Sequence, residues 1–350
     1  MTLQTIADRV GVSRMTVSNA FSKPDQLSAD LRERILTAAE ELGYAGPDPA
    51  ARALARGTTS AVGVLLTDSL RAAFTDEVAT MFLGAIADEL APTGFALTLL
   101  SSSARADVVP ARDVPMDGAL VYSCDTQSPA VDWLVRRKLP LVFVDQDPVP
   151  GIPSINIDDR SGARAAAQHL VDLGHRRVGI VTTNREAPAG VVDEDPDAVA
   201  SHVSRQRMLG WLDALNAAKI RPTIVQQQRS GEEAGRAGGS LLLDQVDRPT
   251  AILCFSDATA YGVVRAAEER GIAIPSQLSV VGFDDNPVAQ RMRPQLTTVR
   301  QDVDAKGRAA AAALTAVIQR TRDGGPPGRA RHQMLPTELV VRASTAPPPR

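Results

Sequence analysis

The 350-residue chain predicts two unlike parts in series: a small all-α headpiece with a helix-turn-helix outline, then an α/β body of two lobes, each a doubly wound parallel sheet. Three observations predict this. Through residue 45, apolar side chains recur at the i, i+3, i+4, i+7 spacing of short helices. A stiff linker follows, Gly46-Pro47-Asp48-Pro49. From Ala61 onward, short apolar runs alternate with longer helical stretches, twice over, as parallel strands covered by helices do.

Thr2 is placed to cap a first helix whose inner face is Leu3, Ile6, Ala7 and Val10. Gly11 ends that helix, and Val12 packs back on the core. Ser13 caps a second short helix, Arg14 to about Phe21, with Val17 and Ala20 inward and Arg14, Met15 and Thr16 outward at its start. In a helix-turn-helix, side chains at that position reach base edges in the major groove. Arg14 can donate two hydrogen bonds to a guanine edge, and Thr16 can reach a phosphate or a base. A plain helical bundle with a solvated face fits the local pattern equally well. Ser28 caps a third helix, lined by Leu31, Ile35, Ala38 and Leu42, and Gly43 takes its left-handed end. Beyond the linker, Pro49 suits the first position of a helix running to Gly57. A helix that short does not persist alone, so it needs a partner, and a twofold copy of itself on DNA is one candidate.

In the body, apolar runs at Val62–Leu66, Ala96–Leu100, Gly118–Val121, Leu141–Val144 and Ser154–Ile157 predict one set of strands. Val178–Val181, Ile224–Val225, Ala251–Phe255 and Ser279–Phe283 predict a second. Helices are expected between them at Phe74–Leu90, Gly162–Leu173, Arg205–Ala218 and Ala258–Arg270, with the lobes dividing near 158–175. Ligands of open α/β sheets sit beyond the carboxyl ends of the strands. The polar residues there are Asp68, Ser69, Tyr122, Ser123, Asp145, Thr182, Thr183, Ser256, Asp257, Asp284 and Asp285. Each alone is more often the cap of the next helix, a role Asp257 and Asp285 fit especially well. Residues 184–200 read as an exposed acidic loop, 321–333 as a surface loop, and the last prolines as a frayed tail.

Composition narrows the partners. A chain that is 44% hydrophobic holds more than one core, and domains run to roughly 100–200 residues. The net charge is −3, and residues 1–56 carry seven Lys or Arg against seven Asp or Glu, so a nucleic-acid reading rests on pattern rather than on bulk charge. Cys124 and Cys254 lie far apart at the ends of apolar runs and read as reduced, packed thiols rather than a disulfide or a metal site. Met1 leads straight into an amphipathic helix pattern, and no apolar run reaches the ~20 residues of a membrane span, so a cytoplasmic protein is expected.

The stretch from Thr2 to Gly57 resembles the DNA-binding headpiece of the LacI/GalR repressor family. The matching residues are Leu3-Gln4-Thr5-Ile6-Ala7, Gly11-Val12-Ser13-Arg14-Met15-Thr16-Val17-Ser18, Glu41-Leu42-Gly43-Tyr44 and Pro49-Ala50-Ala51-Arg52-Ala53-Leu54. The resemblance implies that Arg14, Met15 and Thr16 read the major groove and that Leu54 is an apolar wedge entering the minor groove. It places Thr2, Ser13, Ser18, Asn19, Tyr44 and Ala51 at the same DNA surface. Asn19 stands where the family usually has an arginine, and the hinge is one residue longer than usual, with Gly46 the extra one.

The body resembles the same family's periplasmic-binding-protein-like domain. The marks are His169-Leu170 with Leu173-Gly174-His175-Arg176-Arg177, Ser279-Val280-Val281-Gly282-Phe283-Asp284-Asp285, Leu296-Thr297-Thr298-Val299-Arg300-Gln301, and Leu335-Pro336-Thr337-Glu338-Leu339-Val340-Val341-Arg342. By that resemblance Arg207 and Asp284 bind the effector, Asp145 is a third polar contact, and Ser256 replaces an asparagine before Asp257. With Asp68 and Tyr122 from the strand ends, these residues suit a hydroxyl-rich or anionic metabolite. Phe74 either walls the pocket or is plain core. The implied organisation is a headpiece at 1–45, linker and hinge helix at 46–59, and an effector-binding and dimerisation body at 60–350. Within the body, lobes near 60–158 and 175–290 are joined by crossovers and a C-terminal return segment.

An enzyme would need a nucleophile–base pair, a metal cluster or a phosphate loop. His169, His175, His202 and His332 have no ligand spacing, and no glycine-rich loop matches a nucleotide site. No cofactor is therefore expected. The sequence predicts a homodimeric, operator-binding repressor controlled by a small polar metabolite such as a sugar. The alternative is a cytoplasmic solute sensor without repressor activity. The tail shows no heptad repeat to support a tetramer.

Overall fold

The structure is a computed structural model that describes all residues except 47, 67–69, 103–108, 124–127, 194–198, 200, 326–328 and 350. Chain contacts divide it into Met1–Ser60 and Ala61–Arg350.

The first unit is helical: α1 Leu3–Val10, α2 Arg14–Ser22, a 3-10 turn at Pro24–Gln26, α3 Ala29–Glu41 and α4 Pro49–Arg56. Ile6, Ala7, Val17, Ala20, Ile35 and Ala39 close a core among the first three helices. Thr2, Ser13 and Ser28 cap these helices as their positions predict, and Gly11, at φ +78°, turns the chain from α1 to α2. α4 is capped by Asp48, whose carboxylate accepts the Ala50 and Ala51 N–H groups, with Pro49 at its first position.

The second unit runs β1 Ala61–Leu66, α5 Leu70–Thr75, α6 Glu77–Leu90, β2 Ala96–Ser101, α7 Pro110–Asp113, β3 Gly118–Tyr122, α8 Pro129–Arg136, β4 Leu141–Val144 and β5 Ser154–Ile157. It continues with α9 Asp159–Asp172, β6 Val178–Thr183, β7 Gly190–Val192, α10 His202–Ala217, β8 Thr223–Gln227, α11 Glu232–Leu243, β9 Ala251–Cys254 and α12 Asp257–Glu269. Then come β10 Ser279–Asp284, α13 Pro287–Arg291, β11 Thr297–Gln301, α14 Val303–Arg322, β12 His332–Leu335 and β13 Thr337–Val340.

Two sheets result. One is wholly parallel, in the order β12-β5-β4-β3-β1-β2; the other runs β13-β11-β10-β9-β6-β8-β7. The second carries an antiparallel strand at each edge, β13 and β7, which the alternation of runs and helices does not announce. Each sheet is covered on both faces, giving two apolar cores per lobe. The chain crosses between lobes after β5, between β11 and α14, and at Pro336 between β12 and β13.

Four sequence expectations change. The stretch expected as one helix over Phe74–Leu90 is two, because Asp76 turns out of helix and caps α6. α9, left at the lobe boundary by sequence, packs wholly in the second lobe. Asp257 and Asp285 are not helix caps. Ser256 caps α12, while Asp257 is buried and accepts hydrogen bonds from Thr298 Oγ1 (2.5 Å) and the Asn286 N–H (2.9 Å). Asp285 instead receives Arg300 (2.8 Å) and Arg342 (2.6 Å). The tail is not frayed: Ser344 is buried, donating to the Val280 carbonyl and accepting from the Thr297 N–H. Cys254 is buried at the end of β9, and Cys124 lies outside the described residues. No helix among the described residues is long and apolar enough to cross a membrane.

Candidate functional site

Two surfaces carry the residues singled out by sequence. The first lies at the start of α2. Ser13 Oγ accepts the Thr16 N–H (3.0 Å) and meets Thr16 Oγ1 at 2.8 Å, so the cap fixes the first turn and leaves Arg14 exposed and Met15 70% exposed. Asn19, half-buried, donates its amide to Gln26 Oε1 (3.2 Å), and Ser18 is half-buried beside it. Tyr44 packs edge-on against Phe21 at 5.7 Å, which holds the end of α3 over α2. Thr2 caps α1. On α4, Ala51 is exposed and Leu54 is 86% exposed, a large apolar side chain left in water.

The second surface is a cavity of about 620 Å³ between the lobes of the body, beyond the carboxyl ends of the strands. Its floor is a chain of buried polar side chains. On α10, Arg207 donates to Asp159 Oδ1 (2.8 Å), to the Phe255 carbonyl (2.5 Å) and to Asp284 Oδ1 (3.3 Å). Its guanidinium lies 3.6 Å from the centre of the Phe283 ring. Gln301 donates to Asp284 (2.7 Å) and accepts from Lys306, whose ammonium also pairs with Asp145 Oδ2 at 2.5 Å. Asp159, Arg207, Asp284 and Gln301 come from the second lobe, Lys306 and Asp145 from the first. One polar relay therefore joins both lobes beneath the cavity.

Local sequence explains the placement. A Cβ on Gly210 would stand 2.2 Å from the Arg160 carbonyl, so glycine there lets α10 lie directly on α9 and brings Arg207 to Asp159. Asp145 (φ +55°) and Asp284 (φ +116°) leave their strands in the left-handed region, a backbone strain that clusters where both strands open on the cavity. Burial pushes the Asp284 carboxyl up to about 7, against the pull of Arg207. Burial also raises Asp159, with Arg207 opposing, and drives the Tyr122 phenol well above its ordinary range. At the mouth, Asp147 of the first lobe receives His202 (2.8 Å) and Arg205 (2.5 Å) of the second. Burial alone would raise the Asp147 carboxyl, but these two hydrogen bonds hold it below the usual range.

Arg207, Asp284, Asp145, Tyr122 and Ser256 thus meet on one cavity. Phe74 does not line it in this structure: it stands 63% exposed on α5, while its neighbours Ala73 and Thr75 form the wall. Asp68 lies outside the described residues. Sequence reasoning missed Lys306, Asp159, Glu77 and the Asp147–His202 pair. Asp159 was within reach, as the second of two acids after the fifth apolar run; Lys306, in the first turn of α14, gave no sign.

Residues 2–46 match the family model of bacterial regulatory proteins, lacI family, and residues 167–345 match that of the periplasmic binding protein-like domain. An HTH-type transcriptional regulator of Mycolicibacterium smegmatis is 37% identical over 366 residues, covering 99% of this chain and 97% of that protein. The HTH-type transcriptional regulator IpsA of Corynebacterium glutamicum is 36% identical over 335 residues, covering 91% and 92%. Among solved structures, the lac repressor dimer bound to operator and the anti-inducer ONPF superposes with a TM-score of 0.79 at 26% identity, covering 99% of both chains.

Proposed function

The chain belongs to the lacI family of bacterial regulatory proteins, and from that premise we propose that it is a homodimeric repressor whose grip on operator DNA is set by a small polar metabolite in the interlobe cavity. The observation that carries the reading is Leu54, 86% exposed on an eight-residue helix capped at both ends. A helix of that length is marginal alone, and a leucine in water forgoes about 2 kcal/mol of burial. Both costs are relieved when two copies of α4 meet over DNA and Leu54 enters the minor groove. Arg14, Met15 and Thr16 then face the major groove, Arg14 suited to a guanine edge. Thr2, Ser13, Ser18, Asn19, Tyr44 and Ala51 complete the contact surface.

In the body, a metabolite held by Arg207, Asp284, Asp145, Tyr122 and Ser256 changes the relation of the lobes. That shifts the population between arrangements that do and do not hold two α4 helices together. The groups on the cavity suit binding rather than catalysis, so the proposed chain is not an enzyme and works inside the cell, where its DNA lies.

The test is a footprint of the purified protein on DNA flanking its own gene, with a salt titration. A protected near-palindrome whose affinity falls steeply with salt is the expected result. Complete absence of binding sinks the reading. Leu54→Ala should weaken operator binding at least tenfold, about 1.4 kcal/mol, and unchanged affinity removes Leu54 from the wedge role.

A further inference from the structure

Among the described residues, each buried cation of the cavity floor is already paired with a carboxylate. Lys306 is 1% exposed and gives two of its three N–H donors to Asp145 Oδ2 and Gln301 Oε1. Arg207 is held by Asp159, Asp284 and the Phe255 carbonyl. Two buried cations therefore face the buried carboxylates Asp145 and Asp159, with the Asp284 carboxyl, pushed up to about 7, beside them. Among the described residues of the floor, no positive charge is left over for an incoming anion.

What the floor lacks is of the opposite kind. Asp145, 5% exposed, and the half-buried Glu77 each line the cavity and hold a buried carboxylate oxygen, Oδ1 and Oε2, without a hydrogen-bond partner. Such an oxygen is costly until something donates to it. A phosphate or carboxylate brings only further acceptors. An ammonium could donate, but would approach Lys306 and Arg207. A neutral compound with several hydroxyls donates to both oxygens and can accept from Lys306.

We propose that Asp145, Lys306 and Glu77 form a donor-seeking, charge-saturated floor that selects a neutral polyhydroxyl compound and rejects its phosphorylated and carboxylated derivatives. Lys306 and Glu77 are thereby specificity-determining residues of the cleft. The proposal rests on the effector-binding reading above and narrows it. Arg185 and Arg229 at the rim do not reverse the preference. They are exposed, they stand among Glu186 and Glu232, and water and salt screen them.

The experiment is thermal unfolding of the full chain with matched probes at about 20 mM: glucose against glucose 6-phosphate and gluconate, ribose against ribose 5-phosphate, and sorbitol against sorbitol 6-phosphate. At least one neutral member should raise Tm while its anionic partners do not. An anionic member that stabilises as well as its parent overturns the proposal, and so does a panel in which no neutral member stabilises. Glu77→Gln should weaken the stabilising neutral probe by about tenfold in calorimetry, the loss of one hydrogen bond to a charged acceptor. Lys306→Met should weaken it at least as much. If that variant does not fold, Glu77→Gln still decides: unchanged affinity there refutes the assignment of Glu77. An anionic probe that released the protein from its operator would defeat this floor and leave the repressor reading standing. Absence of operator binding under every condition would defeat the reading itself.

Discussion

Asp284 shows most directly what one residue contributes to the cleft. Its carboxyl, pushed to about 7 by burial against the opposing charge of Arg207, would titrate near 3.8 in the unfolded chain. Between those values the folded state keeps a proton that the unfolded state has released. The stability that the neutral acid confers is therefore full below 3.8 and declines as pH rises to about 7. Asn at this position stays neutral throughout and can still accept from Gln301 and Arg207. Asp284→Asn should thus gain stability relative to wild type as pH goes from about 5 to 8, read by urea unfolding at both ends. A difference that does not change with pH would refute the shifted carboxyl. Asp284 was legible because it ends an apolar run. Lys306 was not, because a lysine in the first turn of an alanine-rich helix reads as a solvated charge until a sheet is laid over that helix.

For whole elements, spacing served well where a helix or strand buries one regular face, as in α1, α2, α3 and the central strands. It served poorly where neighbours supply the order. The tail after Arg342 has the composition of a loose end, yet Ser344 bonds the Thr297 N–H and the Val280 carbonyl. His175 donates from Nε2 to the Ala346 carbonyl (2.9 Å), and the Ala346 N–H reaches Ser279 Oγ (3.0 Å). Truncation after Arg342 leaves the buried Thr297 N–H and Val280 carbonyl without these partners. It should cost about 2 kcal/mol or more, measured as a fall in the urea midpoint with m unchanged. A tail that could be removed without loss would mean that water satisfies these groups equally well.

The body is two lobes threaded by three crossings, and among the described residues two polar connections hold the lobes together. One is the buried relay from Arg207 to Asp145; the other is the outer clasp of His202 and Arg205 on Asp147. The outer clasp is half in water, so its strength is modest, but it opposes separation of the lobes directly. Asp147→Ala should leave the fold intact and weaken effector affinity about two- to fivefold, with the difference shrinking at high salt. Calorimetry at two ionic strengths checks this. An unchanged affinity at low salt would show that the relay alone closes the cleft.

The sequence by itself determined the order of parts, the headpiece with its caps and outward Arg14, Met15 and Thr16, the parallel sheets, and the strand-end acids Asp145 and Asp284. Each of these follows from local periodicity, capping chemistry or turn preference, which act over a few residues. Only the tertiary structure decided that α9 belongs to the second lobe and that α14 returns to the first. It also decided that Lys306 and Gln301 join Asp145 to Asp284, that Phe74 faces solvent, and that the C-terminal segment is docked. Those outcomes depend on contacts between residues far apart in the chain, 161 positions for Lys306 and Asp145 and 171 for His175 and Ala346. Long-range pairing of that kind is selected by burial and by the cost of unpaired buried charge, and neither leaves a periodic trace along the chain.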